Sequence, residues 1–309
     1  MSDNTLNEII RDHAMLVSVH IKHWSASVTD NAAARAAADA SGAQGAGAYK
    51  AHKNLMFRND SRLKAVQKAG NELRALHNAR TMAWDTGKSN FRMLPTVQFQ
   101  AYTQAIAKAK SHYDKKLQEF LDNYLNDAAA ARRSLNIDND PNAHRLYPTE
   151  DAVKHRFGVE LAFEPIPAGR AFRNIPDTAV EALSNAHETR VKSRYNDALA
   201  EARADIAASL AHLRGLLRAE VEDGKAQRWK DSSVDNIVMQ SKMLKHFDLE
   251  GNEQHVDWCG RVHSYFSRLN KKMLTHLRLP SSTDERIDMC DDIAKFEIEL
   301  ENLIDGNSE

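Results

Sequence analysis

Two helix-length segments of this 309-residue chain each carry an apolar stripe that advances in steps of three and four. In the first the stripe is Phe99, Tyr102, Ile106, Ala109, Tyr113, Leu117, Phe120, Tyr124, Ala128, Ala131 and Leu135. In the second it is Val180, Leu183, His187, Val191, Tyr195, Leu199, Ala202, Ile206, Leu210, Leu213, Leu217 and Val221. This spacing puts every apolar residue on one narrow helix face, which needs another helix to cover it. At 1.5 Å per residue each run is roughly 60 Å long, far beyond the ordinary globular helix. Much of the core must therefore be helix against helix.

The rest of the chain adds a few strands and shorter helices. From Met15 to His23 the sequence alternates, with Val17, Val19 and Ile21 on one side and Ser18, His20 and Lys22 on the other, as in a half-buried strand. An Ala/Gly tract follows, helical in its first half and loop-like around Gly42, Gly45 and Gly47. Asp60 and Ser61 offer an N-cap for a helix with Leu63, Val66, Gly70, Leu73 and His77 on one face. Asp85 to Lys88 reads as a turn, and Phe91 and Met93 suggest a short strand before Pro95. Tyr147, Pro148 and Thr149 open a short helix, and Phe157, Val159, Leu161 and Phe163 alternate as the clearest strand. Three more amphipathic helices are expected at Ser233–Phe247, Glu253–Leu279 and Ser282–Ile304, the last opened by a Ser282/Glu285 capping box.

The fold expected from this pattern is mainly α, α with a small β-sheet. Two long antiparallel coiled-coil-like helices carry a small antiparallel sheet near one end, and a C-terminal helical bundle follows. The expected divisions are an N-terminal strand and Ala/Gly-rich loop over 1–58, the long helical pair with its sheet over 59–224, and the bundle over 225–309.

The formal net charge is −1, yet it is unevenly distributed. Residues 50–116 carry fourteen Lys and Arg against Asp60, Glu72, Asp85 and Asp114, a formal +10. Residues 284–309 carry ten Asp and Glu against Arg286 and Lys295, a formal −8. These regions can attract one another, within a protomer or between protomers, and the basic one can attract polyanions. Cys259 and Cys290 are too few for a disulfide framework and read as a pair of reduced, buried thiols. The first ten residues have neither a basic start nor an apolar core, and no run of eighteen apolar residues occurs. No membrane association is expected, and the expected location is the cytoplasm.

One long stretch resembles a known family. The residues that carry the likeness are Ile21 to Trp24, Gly47 to Lys50, Thr81 to Trp84 with Gly87, and Arg92 to Pro95. It continues through Tyr102 to Tyr147 and Pro148, and on to Phe163 to Pro167 with Phe172 and Arg173. Over residues 15 to 225 the chain resembles an uncharacterised family of phage and mobile-element proteins. These are often encoded beside MoxR-type AAA+ ATPases and von Willebrand-factor-A-like proteins. The resemblance implies a phage or mobile-element setting, hence the host cytoplasm, and work alongside an ATPase. It brings no catalytic residues.

The sequence offers little chemistry of its own. There is no GxxxxGK[ST] and no strand-to-helix GxGxxG, so an ATPase would be a partner and no nucleotide cofactor is expected. His255, Cys259 and His263 stand four apart on one helix, which separates the outer pair by about 12 Å, too far for one tetrahedral metal. A pair completed by Cys290 is the remaining metal option; otherwise Cys259 continues a core stripe to Leu277. His77 and His187 lie on apolar faces, as hydrogen-bonded core histidines do. No GxSxG occurs, and the carboxylate pairs Asp138/Asp140 and Asp291/Asp292 read as surface.

The basic segment is the strongest functional lead. Lys50, Lys53, Arg58, Lys88 and Arg92 fall in loops or strand edges that can follow a phosphate backbone, with Trp84, Tyr49 and Phe57 as stacking platforms. Against this, the same cations can cover the flank of a helical pair and meet acidic helices, with Trp24 and Trp84 plugging sheet to helices. Two functions follow. The first is a non-enzymatic scaffold that forms a homo-oligomer through its long helices and docks a partner, an AAA+ ATPase being the candidate. The alternative is a protein of phage replication, recombination or packaging that binds single-stranded nucleic acid through residues 50–116.

Overall fold

The computed structural model describes residues 3–43, 48–56, 61–84, 90–137, 146–167, 177–218 and 229–305. In chain order these form α1 (Asp3–His13), β1 (Ala14–Lys22), β2 (Ser27–Thr29), α2 (Asn31–Ser41), β3 (His52–Asn54) and α3 (Ser61–Ala79). Next come β4 (Met82–Ala83), β5 (Arg92–Pro95), α4 (Phe99–Leu121), α5 (Tyr124–Ser134), α6 (Glu150–Lys154) and β6 (Gly158–Pro165). Five helices complete the chain: α7 (Asp177–Arg218), α8 (Ser232–Phe247), α9 (Glu253–Ser267), α10 (Lys271–Leu277) and α11 (Thr283–Asp305). The protein is mainly α, with one four-stranded sheet in the order β4-β5-β1-β6 and a second of β2 and β3. β1 runs antiparallel to β5, from Ala14 opposite Pro95 to Val17 opposite Arg92.

Two compact units are present, and neither is one continuous stretch of sequence. The first, the bundle unit, comprises Met1–Ser18, His77–Tyr102 and Ala162–Glu309. The second, the loop unit, comprises Val19–Leu76 and Thr103–Leu161.

The bundle unit is organised around α7. Val191, Tyr195, Leu199, Ile206, Leu210, Leu213 and Leu217 of its stripe are buried, and α7 packs against α11, α8 and α1. Val234, Ile237, Leu244 and Phe247 of α8, Trp258, Val262 and Phe266 of α9, and Met289, Ile293 and Leu300 of α11 complete this core. The chain's own C-terminal helices and α1 thus cover the long seam, which a second long helix was expected to meet. The Tyr195 hydroxyl donates to the Phe247 carbonyl at 3.0 Å and accepts from the Leu249 amide at 3.0 Å, fixing the end of α8. α1, which has no counterpart among the expected elements, buries Leu6 and Ile10 and pairs Arg11 with Glu188.

The first striped run is two helices, α4 and α5, divided at Asp122 and Asn123. There the Asn123 side-chain amide donates to the Glu119 carbonyl at 2.9 Å, and Gln118 donates to the Asp122 carboxylate at 2.7 Å. Short polar side chains that bond the local backbone compete with helix continuation in this way. The stripe survives the break because Phe120 and Tyr124 are both buried. The expected helix over 253–279 is likewise two, α9 and α10, because Asn270 caps the second through the Lys272 and Met273 amides. The expected capping box at Ser282 is absent; that hydroxyl donates to the His276 carbonyl at 3.0 Å.

Aromatic rings and their hydroxyls hold the loop unit. Trp24 meets Tyr124 edge-on at 5.8 Å between centroids, and Phe120 meets Phe157 at 5.7 Å. Tyr124 donates to the Pro148 carbonyl at 2.7 Å and Tyr147 to that of Leu55 at 2.7 Å, each tying irregular chain to a buried ring. Arg62 of α3 grips both carboxylate oxygens of Asp127 on α5, at 2.8 and 2.9 Å.

Candidate interaction surfaces

The residues proposed to grip nucleic acid separate into three kinds. Arg58 and Lys88, with Phe57, lie outside the described residues. Trp84 and Arg92 are built into the fold. Trp84 is 4% exposed beneath the Arg194 guanidinium, 5.8 Å from the ring centre, and so cannot stack on a base. Arg92 donates to the Thr81 hydroxyl at 2.7 Å, the Thr81 carbonyl at 2.8 Å and the Asn78 carbonyl at 3.3 Å. Those bonds join β5 to the end of α3, and burial lowers the pKa of this guanidinium. Lys53 is intermediate: it is half-buried and pairs with Asp30 at 3.2 Å, while Asp30 caps α2 through the Ala33 amide. Of the six, Lys50 is exposed and described, beside the 40% exposed ring of Tyr49.

Other cations of the loop unit are exposed, as Lys50 is. Arg74 on α3 and Lys108 and Lys115 on α4 are exposed and make no hydrogen bond or ion pair among the described residues. Across its described residues the loop unit carries sixteen Lys and Arg against ten Asp and Glu. The bundle unit carries nineteen against twenty-five. The polarity noted in the sequence therefore falls on separate compact units.

The bundle unit has a groove of about 950 Å³ along one face of α9 and the flank of α11. Val256, Gly260 and Ser264 line it from α9, and Phe296 from α11. Its charges are largely paired: Arg261 with Asp257 at 2.9 Å and Glu299 at 2.9 Å, and Lys295 with Asp292 at 2.9 Å. The Tyr265 hydroxyl also donates to Asp292, at 3.1 Å. A Cβ added at Gly260 would meet nothing within 4 Å, so the groove is open at mid-length. Lys245, Glu253 and Arg268 add further charge to its rim.

Both cysteines and His255 are shielded. Cys259 is fully buried, and that burial pushes its thiol up to about 12. Burial also raises the Cys290 thiol, which donates to the Arg214 carbonyl. Thiols so raised are inert toward nucleophilic chemistry near neutrality. His255 is fully buried with its Nδ1 2.8 Å from an Arg203 amino nitrogen, and burial together with that arginine lowers its pKa to about 4. No group of three or more His, Cys, Asp or Glu among the described residues could hold a metal ion. His77 is a hydrogen-bonded core residue, 2.8 Å from the Tyr102 hydroxyl; His187 is half-buried and bonded to the Pro167 carbonyl at 2.9 Å. No helix among the described residues is long and apolar enough to cross a membrane.

Comparison of the chain with protein-family models, with curated proteins and with solved structures finds no match.

Proposed function

We propose that this protein is a non-enzymatic scaffold that self-associates and presents its helical bundle to a further partner. One observation carries the reading. The two compact units have opposite charge excesses, and many of the charges concerned are exposed and make no ion pair among the described residues. Surfaces of that kind steer copies of a protein into a defined relative orientation. The shielding of both thiols and of His255 fits a molecule that works by contact. The resemblance over residues 15–225 makes an AAA+ ATPase the candidate for the further partner. Sedimentation velocity of the full chain over a concentration series tests self-association. A species larger than the monomer that dissociates as salt rises is expected. A monomer at every concentration up to about 100 μM, the range of weak association, overturns the reading.

A second reading has its own support. Lys50, Arg74, Lys108 and Lys115 leave cationic side chains exposed on the loop unit, so single-stranded nucleic acid is the alternative occupant. Anisotropy of labelled single strands across a salt series reads it: binding should weaken steeply with salt. Because Trp84 is buried and Arg92 is bonded into the fold, reversing Lys108 and Lys115 is the informative change.

A further inference from the structure

Two exposed helix faces, one in each unit, complement each other. On α11, Ile287 and Ile298 are 53% and 57% exposed. Eleven residues separate them, which places them on one face about 16 Å apart. Asp288, Asp291 and Glu301 stand around them, exposed and making no hydrogen bond or ion pair among the described residues. The opposite side of α11 is already engaged, since Met289, Cys290, Ile293 and Leu300 are buried in the bundle. An outer face with two large isoleucines is thus a second apolar surface on a helix that needs only one to fold.

On α4 the spacing of Lys108, His112 and Lys115 puts all three on one exposed face. Lys116 lies beside them, tied to Glu119 at 2.8 Å. Lysine stems are apolar below the ammonium group and can lie along isoleucine side chains while their heads meet carboxylates.

We propose that the outer face of α11 in one copy docks on the lysine face of α4 in a second copy. The inference rests on the self-association reading above and names the surfaces that would serve it. A second copy is favoured by charge complementarity, because it accounts for both faces at once. A polyanion would engage α4 and leave the isoleucines and carboxylates of α11 unexplained. A foreign basic protein would engage α11 and leave the lysines unexplained. The contact joins different patches, so it is heterologous, and repetition yields a closed ring or an open filament.

The test uses the full chain in three forms: unaltered, with Asp288→Lys, Asp291→Lys and Glu301→Lys, and with Lys108→Glu and Lys115→Glu. All these side chains are exposed, and circular dichroism confirms that each form folds. Sedimentation velocity at low and high salt should show the unaltered chain associating and each variant at least roughly tenfold weaker. An equimolar mixture of the two variants should regain association, because each supplies the face the other lacks. Ile298→Ser should weaken association at both salt levels, since its contribution is apolar. Association of both variants as tight as that of the unaltered chain overturns the assignment of faces and leaves self-association standing. A monomeric unaltered chain overturns both. Loss of single-strand binding in the α4 variant, with no change in association, assigns those lysines to nucleic acid and overturns the proposal.

Discussion

The bundle unit and the loop unit close their cores by different means. In the bundle, α7 lays a stripe of Leu, Ile and Val against α1, α8 and α11, and what matters at most positions is volume and apolarity. In the loop unit, irregular chain is held by single bonds from buried rings, Tyr124 to Pro148 and Tyr147 to Leu55. The bundle's packing follows from periodicity; the loop unit's depends on particular atoms meeting. Substitutions should separate the two.

The largest effect is expected at Trp258, which is fully buried and donates its indole N–H to the Phe296 carbonyl at 3.1 Å. Trp258→Ala should cost about 3–5 kcal/mol, through lost burial and the cavity left behind. Leu213→Met on α7, a swap of similar volume, should cost less than about 1.5 kcal/mol. Urea midpoints measure both. Were the methionine swap as costly as the tryptophan truncation, the bundle would be as shape-specific as the loop unit, and the contrast would fail.

The loop unit should respond sharply to a single added carbon. A Cβ at Gly70 on α3 would lie 2.3 Å from His23 Cε1 and 2.7 Å from its Nε2. His23 has little room to retreat, since both ring nitrogens are buried and Tyr113 lies 6.1 Å away, ring to ring. Gly70→Ala should therefore destabilise by about 1–3 kcal/mol, although alanine is the better helix former. In a His23→Ala background the penalty should largely vanish, a coupling that a double-mutant cycle measures. An unchanged penalty would mean that the clash lies with Ile21, 3.4 Å away, or with α3 itself.

This difference explains how much could be read from the sequence. The α7 stripe and β1 are legible because each is a local periodicity whose apolar positions face the core; β6 is legible by its alternation alone, since its Leu161 and Phe163 are each 38% exposed. The break at Asn123 hides within the stripe, because Phe120 and Tyr124 continue the pattern across it. Arg92 reads from sequence as a free cation because two of its three acceptors are carbonyls, which no residue letter announces. Trp84 carries the same ambiguity; a tryptophan among cations can stack or plug, and here Arg194 covers it. The exposed faces of α11 and α4 were legible as charge and not as surfaces, since exposure depends on which side each helix turns inward.

pH offers a smaller, graded test. His255 in the bundle titrates near 4, first because it is buried and then because Arg203 faces it, with Asp248 opposing. In the unfolded chain a histidine titrates near 6.5. Between those values the unfolded state binds a proton that the folded state refuses, so stability falls as pH drops from about 6.5 toward 4. His246 in the bundle and His23 in the loop unit shift the same way, by burial and nearby cations. The informative quantity is the difference between the unaltered chain and His255→Gln, which removes shared carboxylate contributions. Denaturation midpoints from pH 7.5 to 4.5 should show the unaltered chain losing more. Parallel curves would show that protonated His255 is accommodated beside Arg203.

The smallest effect has the opposite sign. Gly260 sits within α9, where glycine is less favourable than alanine by up to about 1 kcal/mol. A Cβ there meets nothing within 4 Å, so nothing in the described chain opposes the change. Gly260→Ala should raise the urea midpoint by an amount equivalent to a few tenths to about 1 kcal/mol, with no change in slope. Gly70→Ala and Gly260→Ala are the same chemical step at two helical glycines. Their opposite signs would show that one glycine marks a closed contact and the other open room beside the groove. A destabilising Gly260→Ala would place a contact over that groove.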